Sequence, residues 1–148
     1  MKIRTYVLAA IAVFVAAVTG SDLIARMTIA GLSFSAAVAE HLEWESLTIV
    51  GIFFLFLPFV GAALICGVAN KRARTRSAVT LFSVAMAVLA YFYFDGFQAS
   101  QRAMVDQSWT AAALLIGVLP FFGLALVAAV AILAAAVARF DRRSIPDA

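Results

Sequence analysis

Leu57-Pro58-Phe59-Val60-Gly61 and Leu119-Pro120-Phe121-Phe122-Gly123 are two versions of one phrase, one in each half of the chain, each in the middle of a long apolar run. Laid over one another without a gap, Ser46 falls on Ser108, Thr48 on Thr110, Pro58 on Pro120, Gly61 on Gly123, Ala63-Leu64 on Ala125-Leu126 and Val68-Ala69 on Val130-Ala131. Self-similarity at a fixed offset marks an internal repeat. The reading that follows is two related helical hairpins, residues 1–70 and 71–148, forming one four-span membrane domain.

Composition agrees with that reading. Of 148 residues, 66% are hydrophobic and 13% charged, the balance of a chain whose solvent is mostly lipid. A span needs ~20 apolar residues, so this length supplies about four crossings joined by short connections. The net charge of +3 does not point to nucleic acid, because the basic residues cluster beside apolar segments instead of along a solvated face. Cys66 is the single cysteine, which excludes an intrachain disulfide and a multi-cysteine metal site and leaves it a small packing residue.

Taken outward from the repeated phrase, the spans are residues 5–20, 46–69, 78–94 and 109–138. The first follows Lys2 and Arg4 and reads as an uncleaved helix, with Ala9, Ala12, Ala16 and Gly20 as a smooth face for close packing. Residues 21–46 read as an outer connector, with residues 27–39 as an interfacial or partly embedded helix. Pro58 and Pro120 each remove a backbone donor, opposite the carbonyls of Phe54 and Ile116, so kinks and a cavity lined by Phe54, Phe59 and Phe121 are expected there. The small residues Gly61, Ala63 and Gly67, with Gly123, Ala125 and Ala129, are expected to pack the halves together at a pseudo-twofold axis. Tyr91-Phe92-Tyr93-Phe94 reads as an aromatic belt at the outer interface, and residues 95–108 as a short outer loop.

Charge sets the orientation. Lys2 and Arg4, the turn with Lys71, Arg72, Arg74 and Arg76, and Arg139, Arg142 and Arg143 fall on one side, so both termini are expected in the cytoplasm of a bacterial inner membrane.

Three groups of residues carry possible chemistry. Asp22 with Arg26, and Arg102 with Asp106, have the four-residue spacing of helical ion pairs in the outer connections, and the two arginines are candidates to meet lipid headgroups. Glu40, His41 and Glu45 form a weak metal candidate, since two ligands four apart share a face but do not complete a site. More simply, those carboxylates mark the positive end of the second span. Thr80 and Ser83 are expected to bond back to their own helix. No Asp, Glu, Lys, Arg or His lies in the four spans as drawn. That absence speaks against an ion-coupled carrier and against haem ligation in the bilayer, and no cofactor is expected. No nucleophile with a base, and no phosphate-binding loop, is visible. The expected function is therefore non-enzymatic: an accessory, assembly or immunity-like subunit whose partners are membrane lipid and another membrane protein or a second copy of itself. The alternative is a homo-oligomeric transporter or lipid-handling protein with a cavity at the kinked helices, and an integral-membrane enzyme comes third.

Overall fold

A computed structural model of the chain describes residues 2–42, 49–71 and 75–143. It is all-α: α1 (Ile3–Thr28), α2 (Phe34–Leu42), α3 (Ile49–Ala69), α4 (Thr75–Val105) and α5 (Trp109–Arg143). Four of these, α1, α3, α4 and α5, are long and apolar enough to cross a membrane. Glu43, Trp44, Glu45, Ser46, Thr48, Arg72 and Arg74 lie outside the described residues.

α1 buries Tyr6, Ala10, Phe14, Val18 and Asp22 at four-residue intervals, one stripe of a helix surface. Of the smooth alanine face expected to pack, Ala9 is partly buried against the core, but Ala12 and Ala16 are exposed, and a methyl added at Gly20 would meet nothing within 4 Å. Without a hydrophobic drive between helices in lipid, the stripe making more van der Waals contact wins the interior, and Tyr6 and Phe14 outweigh alanine. The helix also runs on through Ser21 and Asp22, because both turn inward. It stops at a turn where Gly31 has φ +69° and the Ile29 N–H returns to the Ala25 carbonyl at 2.9 Å. The single interfacial helix expected over residues 27–39 is therefore displaced. Ser33, whose Oγ accepts the Ala36 N–H at 3.4 Å, opens α2, which rests on α1 through the buried Ala37. Phe34 and Leu42 face outward.

α4 differs most from expectation. Residues 95–105 continue the helix where an outer loop was expected, and only Asp106, Gln107 and Ser108 separate it from α5. Gly96 explains the continuation: a methyl there would stand 2.5 Å from Leu119 Cδ2, so its hydrogen lets α5 close against α4. Phe97 and Ser100 are buried beyond it, and Ser100 Oγ donates to the Ala112 carbonyl at 3.0 Å. The turn closes with Gln107 at φ 59°. Extending α4 also moves the aromatic run away from the helix end. Tyr91, Phe92 and Phe94 face outward, but Tyr93 is fully buried in the core instead of standing in an interfacial belt.

The helix directions follow from contacts. Ile3 lies at Gly67 and Phe14 at Phe56 and Phe59, so α1 and α3 are antiparallel. Pro58 meets Gly123 and Gly61 meets Val127, so α3 and α5 run parallel, with α4 antiparallel to both and parallel to α1. α3 and α4 form the short diagonal of a diamond and touch every long helix, whereas α1 and α5 do not meet. An exact twofold relating α1 to α4 and α3 to α5 would require an α1–α5 contact to match α3–α4. It would also place Gly61 against Pro120; Gly61 instead faces Val127, 3.2 Å from a methyl added there, so α5 is slipped along α3 by about one turn, ~5 Å.

The slip decides which small residues pack. Gly61, Ala63, Gly67 and Gly123 are inside: Gly67 meets Ile3 of α1, and Gly123 meets the Pro58 ring. Ala125 and Ala129 are exposed, contrary to expectation. The buried seam of α5 is Ala112, Leu119, Pro120, Gly123, Val130 and Ala134, and Ala125 lies ~200° around the helix from Gly123.

A methyl at Gly123 would stand 2.6 Å from Pro58 Cγ and 2.7 Å from its Cβ, atoms of a fixed ring that cannot move aside. Gly123→Ala should lower stability by ~1–3 kcal/mol in a detergent-mixture unfolding titration. Gly117→Ala, which meets nothing within 4 Å, should leave stability unchanged or raise it slightly. Equal behaviour of the two would refute this packing.

Candidate functional site

Polar groups gather at the end of the bundle that carries α2. α1 reaches this end still helical, which puts Asp22 and Arg26 one turn apart on a continuous helix. The Arg26 Nε donates to Asp22 Oδ2 at 2.7 Å, the pairing their spacing implies. The folding of α2 back over α1 adds two groups that the spacing did not connect to them. Arg26 Nη1 donates to Glu40 Oε2 at 2.5 Å, and His41 Nδ1 lies 2.8 Å from the same Asp22 oxygen. A carboxylate only accepts, so this contact places the imidazole proton on Nδ1. Asp22 and Arg26 are deeply covered, with side-chain exposures of 6% and 12%, while Glu40 is half exposed at 50%.

Arg26 thus joins Asp22 to Glu40, and its guanidinium is the cation between those two carboxylates. Glu45, the third expected ligand, lies outside the described residues, and among the described residues no group of three His, Cys, Asp or Glu side chains is placed to hold a metal ion. Arg26, a candidate for headgroup contact, is engaged by both acids. The second expected pair does not form: Arg102 and Asp106 are exposed and no ion pair joins their side chains, although the Asp106 N–H still donates to the Arg102 carbonyl at 3.0 Å. Asp22 also narrows the argument against ion-coupled transport. It sits in a membrane-length helix, 4% exposed, on a segment expected to be connector.

Beside His41 lies a cavity of about 270 Å³ walled by Phe14, Val18, Thr19, Ile52 and Leu55. Beneath it the core closes. The Phe59 ring is 5.4 Å from Phe14 and 5.0 Å from Tyr93 in edge-to-face contacts, and the Tyr93 hydroxyl donates to the Leu55 carbonyl at 2.6 Å. That carbonyl is next to Phe54, whose own carbonyl faces the missing donor of Pro58.

The two prolines, equivalent in sequence, occupy different surroundings. Both helices run through them unbroken. Pro58 is fully buried against Gly123. Pro120 lines a groove of about 290 Å³ between α3 and α5 with Phe54, Phe121, Gly51, Ile116 and Gly117. Of the five residues expected at a shared cavity, Phe54, Pro120 and Phe121 share this groove, while Pro58 and Phe59 belong to the core. The groove wall is hydrocarbon, so the carbonyls opposite the prolines do not make it a polar site. Thr80 and Ser83 also differ from expectation: both are exposed, and neither hydroxyl bonds back to its helix.

Comparison with known protein families, with curated proteins and with solved structures finds no match, so the geometry alone carries the functional reading.

Removing Asp22 strips the buried partner from Arg26 and His41, whereas removing Glu40 loosens one half-exposed contact. Asp22→Ala should cost ~3–5 kcal/mol and raise hydrogen exchange throughout α2. Glu40→Ala should cost under ~1 kcal/mol. If the two variants unfold alike, the cluster does not hold α2.

Proposed function

We propose that the chain is a non-enzymatic membrane component that acts by binding another membrane protein or a second copy of itself. It lies in a bacterial inner membrane with both termini and the basic turn in the cytoplasm, as the distribution of Lys and Arg favours. An origin in two duplicated hairpins is part of this reading, supported by the matched positions around Pro58 and Pro120. No cofactor enters it.

The observation that carries it is α5. This helix spends one narrow seam on the bundle and leaves Leu114, Phe121, Ala125, Ala129 and Ile132 exposed. On its flank, a groove of about 370 Å³ against α3 has Ala131, Ala134, Ala135 and Ala138 on its α5 wall and Leu64, Ile65, Val68 and Ala69 on its α3 wall. Small residues let a helix backbone approach closely, which is how association proceeds where lipid offers no hydrophobic drive. The interior supports the same reading from the opposite side. Among the described residues, Tyr6, Phe14, Phe59, Leu89 and Tyr93 fill the centre and leave no lumen there for a substrate. Transport through a homo-oligomer would have to use space between subunits.

Ala125→Trp and Ala129→Trp should leave the helical content and unfolding midpoint intact, because neither position touches the bundle, and should release a partner or dissociate an oligomer. Native mass spectrometry of protein extracted with its surrounding lipid, without overexpression, reads this. A wild-type protein that emerges monomeric and partnerless in every mild extraction sinks the proposal.

A further inference from the structure

Because α4 continues through residues 95–105, Asp95 belongs to a membrane-length helix and not to a connection. Arg76 and Arg102 stand near the two ends of that helix. A hydrocarbon layer of ~30 Å centred between them covers about twenty residues, 79–99, and Asp95 falls ~6 Å inside its edge. A carboxylate at that depth is costly unless a cation meets it, and it marks a functional position by default. Asp22, at the same end of the bundle, is met by Arg26 and His41. Asp95 is exposed, and among the described residues its carboxylate has no hydrogen bond and no ion pair. The stretches that surround it, residues 75–105 and 109–122, are all among the described ones. Arg102 shares its helix face but stands two turns, ~10 Å, further out.

Asp95 opens onto a groove of about 510 Å³ between α4 and α5 whose other walls are hydrocarbon: Phe92, Gly96 and Ala99 on α4, facing Ala111, Leu115 and Phe122 among others on α5. Pockets for drug-sized molecules run to ~300–1,000 Å³. The floor is the close approach of Gly96 to Leu119, and about one turn deeper the exposed rings of Phe92 and Phe122 stand on opposite walls. The groove occupies residues 111–122 of α5, ~16 Å, about half of the ~30 Å that a transmembrane helix must cross. That length suits a compact molecule better than a helix running the depth of the membrane.

The walls also select the kind of cation. A metal ion or a primary ammonium gives up its hydration only to several acceptors, and here a single carboxylate stands among hydrocarbon. A fully substituted ammonium or phosphonium has no donor hydrogen to satisfy, and aromatic rings beside the carboxylate attract it. We propose that the groove binds such an onium ion with apolar substituents, its charge on Asp95 between Phe92 and Phe122 and its substituents against Leu115 and Val118. The assignment does not depend on whether α5 also binds another protein, nor on which side of the membrane this end faces.

The test is equilibrium dialysis of tetraphenylphosphonium against the full chain in non-ionic detergent, with empty micelles as the blank. The wild type should bind one phosphonium per chain, saturably, and should not bind tetraphenylborate, which has the same shape and the opposite charge. Asp95→Asn should weaken binding about tenfold or more. Ala99→Phe, which fills the groove and leaves the carboxylate in place, should weaken it similarly. Asp106→Asn, an exposed carboxylate at the same end but outside the groove, should not change it. Circular dichroism establishes that each variant is folded. Absence of saturable binding by the wild type, or binding that survives in folded Asp95→Asn or Ala99→Phe, overturns the site. Equal binding of tetraphenylborate overturns the role of the charge. A co-extracted polypeptide that is lost in Asp95→Asn, with no phosphonium bound by the wild type, gives the carboxylate to a partner's lysine or arginine and overturns the onium site while leaving the partner-binding reading intact.

Discussion

The bundle depends on the hydrogen bond from the Tyr93 hydroxyl to the Leu55 carbonyl and on the close packing it permits around Pro58. Proline within a helix leaves the preceding turn with one donor too few, in surroundings where water cannot supply another. That orphaned carbonyl belongs to Phe54; α4 sends a fully buried tyrosine to the neighbouring carbonyl of Leu55, and the same ring lies edge-on to Phe59. An interhelical hydrogen bond of this kind contributes on average only ~0.6 kcal/mol in a membrane. Its importance is positional: it sets the height of α4 on α3, and Gly123 then sets the height of α5 by accepting the Pro58 ring. Three helices are registered at one point, and α1 closes over it with Phe14.

What the sequence made legible was mostly local. Four membrane-length helices follow from apolar runs, Cys66 is the buried packing residue its isolation implied, and Asp22 meets Arg26 because their spacing is one helical turn. What it obscured depended on partners distant in the chain. Asp95, Gly96, Gln98 and Ser100 look like a loop by composition. They are helical because a glycine admits Leu119 and a serine finds the Ala112 carbonyl. Arg26 with Glu40 and His41 with Asp22 depend on α2 folding back over α1. The choice between two possible stripes on α1 turned on contact area, which alanine spacing does not report.

The polar cluster shows how far the site could be read in advance. Its residue types were visible, and so was one of its pairs, and the cation that joins Asp22 to Glu40 is Arg26. The reason is physical. Two acids four or more residues apart on paper attract a cation of any kind, and a guanidinium already tethered one turn away needs no recruitment from solution. With Asp22 almost fully covered, the ion pair is costly to break and its geometry is correspondingly definite, which makes it a clasp for α2 before it is anything else.

The repeat and the packing separate most clearly at the prolines. Pro58 and Pro120 match in sequence and both are buried, but one is the centre of the core and the other borders an apolar groove between α3 and α5. The slip of α5 by about one turn accounts for both placements. It presses Gly123, instead of Pro120, against Pro58, and it turns Ala125 and Ala129 outward while Ala63, the match of Ala125, stays buried. A symmetric arrangement would have used both sets of small residues internally and left neither for anything else. The broken register frees one set, so the asymmetry of the bundle, more than any single residue, is what leaves Ala125 and Ala129 on the outer face of α5 between Phe121 and Ile132.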